Sequence, residues 1–402
     1  MSEILRTDVA IVGAGLVGLA AAVAMHQAGF SVVLVDSKNP VGTDFSDETW
    51  DARIYAISPK NAQWLDDLGV WTLMNQSRIG KMQSMEIFGE TDSSQGKRAP
   101  ITLSANDVNA DSLGYIVESK SLMQALLKQV VALGIQTRFD SPCEAVSNKP
   151  DKAVLHLQHQ QSIESTLLLA ADGSHSWIRQ QLNMPMQQKS YEQTAIVANF
   201  TASKPHGNIA RQWFAQDAEN QNSILAWLPL PDNTISIVWS VSTNYADELL
   251  RLSDDKFTNT VKLAGNSILG DFKLLSPAMR FPLSLQKTST LVQNSVVLVG
   301  DAAHQVHPMA GQGVNLGFRD VVDLLDTLKT KNQYQLLNDT HLLKQYMRKR
   351  KVDILNMVLL TDTLYHLFRS QNAAIKAFRN WGLSATNHQA IKKMLVSNAV
   401  SL

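Results

Sequence analysis

The chain opens on apolar runs interrupted by glycines. Asp8 to Val12 is short and apolar, as a buried strand would be, and Gly18 to Gly29 is small and apolar, as a helix packed on a sheet would be. A second apolar run, Ser31 to Asp36 (SVVLVD), ends on a carboxylate. Strand, helix and strand in this order predict a parallel βαβ unit. Residues 120–133 carry apolar positions at helical spacing, and LLLAADGSHSWIR ends a further apolar run on Asp172-Gly173. From about 190 to 285 the period changes: TISIVWSVS alternates, with Ile235, Ile237, Trp239 and Val241 on one face, which predicts a half-buried strand of an antiparallel sheet. Trp213, Phe214, Trp227 and Trp239 make that region aromatic and are expected in its core. The βα pattern returns near residue 295, and the tail from Leu342 is helical in pattern, with Lys344, Arg348, Lys349, Arg350 and Lys351 expected on a solvated face.

This order predicts an α/β chain. A Rossmann-like nucleotide-binding domain is expected in three pieces, 1–75, 106–185 and 286–330, with a mainly antiparallel β-sheet substrate domain inserted as 76–105 and 186–285. A C-terminal helical region, 331–402, completes it. Lys plus Arg equals Asp plus Glu at 36 each, so no basic field argues for nucleic acid. The single cysteine, Cys143, excludes an internal disulfide and fits a reducing, cytoplasmic setting. No stretch approaches the ~18 to 20 apolar residues of a membrane span. Arg6 followed by VAIVGAGLVGLAAAVAM has the outline of a signal peptide, but such a peptide has no reason to space glycines as Gly13, Gly15 and Gly18.

Those glycines form the G-x-G-x-x-G pattern in Gly13-Ala14-Gly15-Leu16-Val17-Gly18. The first makes a tight turn, the second lets backbone approach a pyrophosphate, and the third lets helix and strand pack closely. The helix start offers its unpaired N–H groups to the anion. Asp36 lies 18 residues beyond Gly18, about where an acid meets a ribose hydroxyl. The pattern alone does not separate NAD from FAD. Arg53, in DARIYAIS just before a helix, is placed to bring a guanidinium to phosphate or a flavin edge, or to a surface salt bridge.

The stretch VVLVGDAAHQVHPMAGQGVNLGFRD, residues 296–320, ends a strand on Gly300-Asp301. A zinc site on His304 and His307 has no supporting H-E-x-x-H or cysteine pair, and no metal is expected. The chain carries no Walker loop and no nucleophile elbow. Asp301, at a strand's C-terminal end, is expected to accept hydrogen bonds from sugar-like hydroxyls. Gly311-Gln312-Gly313 then opens a helix with apolar positions 318, 321, 322, 325 and 328. Its positive end would stabilise negative charge, such as that at the N1–C2=O edge of a reduced flavin.

Taken together, GAGLVG, DARIYAIS, ADGSHSWIRQ and VGDAAHQVHPMAGQGVNLGFRD resemble the FAD-dependent aromatic hydroxylases of the p-hydroxybenzoate hydroxylase type. LGVW, WLPLPDN, FPLSL and FRNWGL extend the resemblance to the ubiquinone-biosynthesis (Ubi) branch. It implies that Gly13, Ala14, Gly15, Leu16, Val17, Gly18 and Asp36 hold the ADP part of FAD and that Arg53 contacts the cofactor. Asp172 and Gly173 would lie near pyrophosphate and nicotinamide, and Gly300 and Asp301 near the ribityl hydroxyls. Pro308 would line the flavin, and Gly311, Gln312, Gly313, Val314 and Asn315 would cradle its ring. Ser119 stands where relatives usually carry Asn or Gln, and the ending LVSNAVSL departs from those of the branch.

The implied reaction is hydroxylation of a prenylated phenol in ubiquinone biosynthesis. NAD(P)H would reduce the flavin, O2 would form a flavin hydroperoxide, and no protein side chain would be the reactive group. A peripheral contact with the inner face of the membrane and with other ubiquinone-biosynthesis proteins is expected. The alternatives are a flavin reductase or halogenase on the same scaffold, or a non-catalytic FAD-binding subunit of a quinone-synthesis assembly. The lysine-centred motif of halogenases is missing after the glycine loop.

Overall fold

A computed structural model describes residues 4–40, 49–89, 100–215, 223–305 and 313–369, with side chains described as far as residue 359. The strand at the N-terminus is longer than its apolar run: Ile4–Val12, because its first half pairs in parallel with Ser162 to Ser165 although it is only half-covered. The helix after it, Leu16–Gln27, begins two residues earlier than Gly18, since Gly15 takes an extended conformation and caps its start. Leu16 and Gly18 to Met25 are all buried, so the helix has no polar stripe. It lies between the sheet and two other helices, Ser119–Ala132 and Gly313–Lys329, and its small residues permit that approach.

The first sheet has its parallel core in the order Val296–Leu298, Gln161–Ala170, Ile4–Val12, Val32–Val35 and Gln136–Arg138. Val292–Gln293, Ala153–Leu157 and Cys143–Asn148 add antiparallel strands. One face packs under the three helices through Val9, Ile11, Leu34, Leu167 and Leu169. Alternate residues, Ala10, Val12, Val33, Leu168 and Ala170, fill a second core. Both faces are thus covered, which is why these strands read as near-continuous apolar runs.

The second sheet has nine strands, in the order His304–Gln305, Met279–Thr288, Met186–Ala202, Thr234–Ser242, Ser223–Pro229, Ile209–Ala215, Ser84–Phe88 and Ile101–Ser104, with Phe272–Leu274 attached to Met186–Ala202. Its strands pair antiparallel except Ile209–Ala215 with Ser84–Phe88, which run parallel. One face carries Ile196, Phe200, Trp213, Trp227, Ile237 and Trp239, covered by the helices Thr243–Leu250 and Asp254–Ala264. The expected aromatic core is therefore present; Phe214, on the opposite face by register, is buried too but stands outside this cluster. Thr234–Ser242 is not half-buried, because Thr234, Ser236 and Ser240 on its second face are buried as well. That face is turned toward the first half of the molecule, where the Asn199 side chain donates to the Asp51 carbonyl at 2.8 Å.

A small sheet of Ile54–Ile57, Gly114–Glu118 and Gly80–Met82 lies beside them. His304–Gln305 pairs with Met279–Thr288, so the segment leaving Asp301 ties the parallel sheet to the antiparallel one. The final helix, Thr340–Arg369, packs on Gly313–Lys329, and its Leu343 and Tyr346 join one core while Ile354, Met357 and Val358 join the other. The basic run on it divides. Lys344, Arg348, Lys349 and Lys351 are exposed, whereas Arg350 is wholly buried. Among the described residues no helix is long and apolar enough to cross a membrane.

Candidate functional site

Four chain segments meet at the C-terminal ends of the parallel strands, where open α/β sheets present ligand sites. The first is the glycine loop. Gly13 has φ +106°, and a Cβ there would stand 2.4 Å from the Ala171 carbonyl oxygen. A Cβ on Gly18 would stand 1.9 Å from the Gly13 oxygen. Neither position admits a side chain, and the helix start is locked against the loop and strand end. Gly15 is different: nothing lies within 4 Å of its missing Cβ, and no side chain caps the helix it starts. The first-turn N–H groups are left for a ligand. Asp36 follows the strand Val32–Val35, and one of its oxygens accepts the Ala14 N–H at 2.6 Å and the other the Lys38 N–H at 2.9 Å. It braces the loop from below.

The second segment leaves the strand Gln161–Ala170. The Ala171 N–H donates to the Val12 carbonyl at 2.8 Å, which sets Asp172 and Gly173 beside the glycine loop. Asp172 Oδ2 accepts the Ile178 N–H at 3.0 Å, while Oδ1 is buried without a hydrogen-bond partner. Burial pushes this carboxyl above the usual range against the hydrogen bonds that favour its charge. Gly173 faces open space.

The third is Gly300-Asp301. Val299 is still extended, Gly300 turns with φ +59°, and Ala303 closes a tight helical turn on the Gly300 carbonyl at 2.9 Å. A Cβ on Gly300 would lie 3.2 Å from Val17, so this turn sits on the first helix. Asp301 is exposed, yet it has protein on most sides. That surrounding bulk raises its pKa, and Asp320 adds to the rise, while His304 and Arg53 oppose it. The buried Arg179 clamps the second and third segments together, donating to the Ala302 carbonyl at 2.8 Å and the Ser174 carbonyl at 2.7 Å. It was visible in ADGSHSWIRQ but carried no expected role.

The fourth is the strand Ile54–Ile57 with the residues before it. The Arg53 guanidinium lies 5.6 Å from the rings of both Tyr55 and Phe281. Burial raises the Tyr55 phenol; Arg53 lowers it and Asp301 raises it further, so arginine, phenol and carboxylate share one neighbourhood. The Ser119 N–H donates to the Arg53 carbonyl at 2.9 Å. Asp51 accepts the Arg53 and Lys120 N–H groups at 3.0 Å each, and donates its own N–H to Glu118 at 2.7 Å. Glu118 is in turn held by Arg78 at 2.7 Å. Sequence reasoning missed this brace, whose partners are 40 and 67 residues apart.

Gly313–Lys329 packs beside these segments: a Cβ on its Gly317 would stand 3.2 Å from the Gly300 Cα. Gly313 has open space where a Cβ would be, and Val314 is buried. Asn315 is also fully buried, and its amide is used within the protein. Its oxygen accepts the Ser58 N–H at 3.0 Å and Asn61 Nδ2 at 2.9 Å, and its nitrogen donates to the Ala56 carbonyl at 2.7 Å. It joins the helix start to the strand that carries Tyr55. Pro308, Gly311 and Gln312, and with them His307, lie outside the described residues. His304 Nε2 donates to the Asp320 carboxylate at 2.7 Å.

The antiparallel sheet reaches this neighbourhood through Phe281, whose ring lies 5.6 Å from the Arg53 guanidinium. Ala226, Leu228, Val238 and Phe281 share its second face by register and are half-buried, beside the buried Thr234, Ser236 and Ser240. The open sides at Gly15, Gly173 and Gly313, the unpartnered Asp172 Oδ1 and the accessible Asp301 carboxylate fit a long ligand with phosphate, hydroxyl and ring parts. FAD has those parts.

Comparison with known proteins agrees with this geometry. The model of the FAD binding domain family matches residues 6–358. The 3-demethoxyubiquinol 3-hydroxylase of Escherichia coli K12 is 31% identical, with 96% of each chain covered. Ubiquinone hydroxylase UbiL of Rhodospirillum rubrum is 30% identical over 98% of this chain and 89% of its own. The human mitochondrial ubiquinone biosynthesis monooxygenase COQ6 is 29% identical over 94% of this chain and 89% of its own. Among solved structures, p-nitrophenol 4-monooxygenase PnpA of Pseudomonas putida superposes with a TM-score of 0.74 at 16% identity, covering 98% of both chains. Klebsiella pneumoniae HpxO, solved with FAD and uric acid, gives 0.74 at 17% identity, covering 98% of this chain and 97% of its own. The structures establish the fold, and the family model with the full-length relatives establishes descent: this chain belongs to the FAD binding domain family.

Proposed function

We propose that this chain is an FAD-dependent monooxygenase that hydroxylates the ring of a prenylated phenol on the way to ubiquinone, with NAD(P)H as electron donor and O2 as co-substrate. The carrying observation is the convergence of the glycine loop, the Gly300-Asp301 turn and the first turns of Gly313–Lys329, which pack on one another through Val17, Gly300 and Gly317, with Arg53 and Phe281 side by side near Asp301. The names borne by relatives that match over nearly the whole chain support the substrate class.

When bound, FAD supplies the redox chemistry: it accepts hydride and activates oxygen toward an electron-rich ring. The chain's residues supply the setting. The N–H groups at the start of Leu16–Gln27 would hold the pyrophosphate. Asp301 would accept from ribityl hydroxyls, and Arg53 would stand at the cofactor with its guanidinium between Tyr55 and Phe281. The dipole end at Gly313 and Val314 would stabilise negative charge at the ring edge. Ala226, Leu228 and Val238 would exclude water from the reacting face, which oxygen transfer requires, and would accept an apolar substrate.

The protein would work at the cytoplasmic face of the membrane beside other ubiquinone-biosynthesis proteins. Supporting the membrane contact, Val352, Leu355 and Leu359 are exposed on the last helix, in line with exposed Lys344, Arg348 and Lys351. An apolar stripe bordered by lysine and arginine suits an anionic bilayer; failure to co-sediment with anionic vesicles would remove this contact.

The central test is purified protein reconstituted with FAD and given NAD(P)H, 18O2 and prenylated phenols. A yellow flavin spectrum, phenol-stimulated NAD(P)H oxidation and one 18O atom in the product are expected. No flavin spectrum and no phenol stimulation would overturn the assignment.

A further inference from the structure

Between Gly313–Lys329 and Thr340–Arg369 lies a buried group of charges that the proposed chemistry does not use. Asp320, His304 and Arg350 are 1%, 2% and 0% exposed. One oxygen of Asp320 accepts both the Gly300 N–H at 2.8 Å and His304 Nε2 at 2.7 Å. The other accepts Arg350 Nε at 2.7 Å. Arg350 also reaches Asp323 at 2.7 Å and Asp353, and Arg319 reaches Asp353 at 2.9 Å. Burial opposes the charge on Asp320, yet His304 and Arg350 outweigh it and hold the carboxyl below its ordinary range.

Buried ion groups contribute little net stability, because desolvation offsets their attraction. What sets this one apart is what it grips. Gly300 and His304 are the two ends of the turn that carries Asp301, and both donate to the same oxygen. We propose that Asp320 is a positioning residue for FAD, fixing the turn that presents Asp301. Arg350 makes that fix depend on seating of the last helix. Loss of the helix contact leaves Asp320 buried without its cation, and the turn relaxes. The inference rests on FAD binding at this site and is independent of the substrate hydroxylated.

The test uses the full chain, stripped of flavin and titrated with FAD, with variants Asp320→Asn and Arg350→Met. Leu324→Ala is the control, a buried core residue of the same helix. Kd for FAD is expected to rise about tenfold or more in the first two, the loss of a charge-assisted hydrogen bond. The midpoint potential of the remaining bound flavin should shift with it. The control should lose thermal stability with Kd within about twofold of wild type. Equal FAD affinity and potential in Asp320→Asn and wild type, or equal weakening in Leu324→Ala, would overturn the proposal. If the charge variants do not fold, hydrogen exchange on the wild type decides. By reciprocity FAD must slow exchange in 342–358 as well as 296–305, and absence of protection in the helix overturns the coupling. Normal flavin results without hydroxylation would overturn the activity alone.

Discussion

Removing the Asn315 amide tests whether the helix start and the strand carrying Tyr55 are one unit. Asn315 is 0% exposed, and among the described residues its side chain takes part in three hydrogen bonds of 2.7, 2.9 and 3.0 Å, with Ala56, Asn61 and Ser58. Asn315→Ala deletes all three. The Asn61 amide keeps a 3.3 Å bond to the Asn315 carbonyl, but the half-buried Ala56 carbonyl and the buried Ser58 N–H lose these contacts. At about 1 kcal/mol net per bond, with a further ~1 kcal/mol for each group stranded, the loss is about 3 to 5 kcal/mol. That is a large share of the roughly 5–15 kcal/mol by which a folded domain exceeds its unfolded state. Asn315→Asp keeps both acceptor roles but sets a carboxylate against the Ala56 oxygen, so it should be no more stable than the alanine variant. Urea unfolding of the apoprotein, followed by tryptophan fluorescence, measures the loss as a lower midpoint at unchanged slope. A fall below about 1 kcal/mol in Asn315→Ala, or an Asp variant as stable as wild type, would refute the account of this joint.

Asp301→Asn should move stability and cofactor binding in opposite directions. The folded apoprotein raises this carboxyl's pKa, so the group binds its proton more tightly folded than unfolded. Its contribution therefore falls as pH rises from about 4 through the raised value, and the ionised form burdens the neutral-pH apoprotein. The variant should melt slightly higher at pH 7, by less than about 1 kcal/mol because solvent reaches the site, and should flatten the pH dependence of Tm. Its FAD affinity should fall about tenfold in a flavin titration, and unchanged affinity would show that Asp301 faces no ligand. Cys143 is pushed up to about 12 by burial, with Asp172 and Asp36 adding to the rise. Its thiol should stay unmodified by a disulfide reagent at pH 8 in the folded protein and react on denaturation; rapid reaction in the native state would show an open, thiolate-favouring site.

What the sequence disclosed and what it hid divide by the range of the forces involved. Gly13, Gly18 and the Gly300 turn were legible because each answers a local demand, a backbone that no Cβ can share or a strand that must reverse. Asp36 was placed by its distance along the chain, but its bond to the Ala14 N–H needed the loop's own shape. The alternation in Thr234–Ser242 located the aromatic core; it could not tell that the serine face would be buried too, with Asn199 beside it bonded to Asp51, 148 residues away. Arg350 was read with Arg348 and Lys351 as a solvated run, since basic residues close in sequence look alike by composition. Helical spacing separates them: Leu343, Tyr346, Arg350, Ile354 and Met357 follow one another at three or four residues and are all buried. A cation in the middle of an apolar stripe cannot enter a core alone, so it implies an acid on the facing helix. Asp320 lies on just such a stripe, with Gly317, Val321, Leu324 and Leu328. Two charges that each violate the pattern of their own helix are, for that reason, the pattern's best statement about which helices meet and in what register.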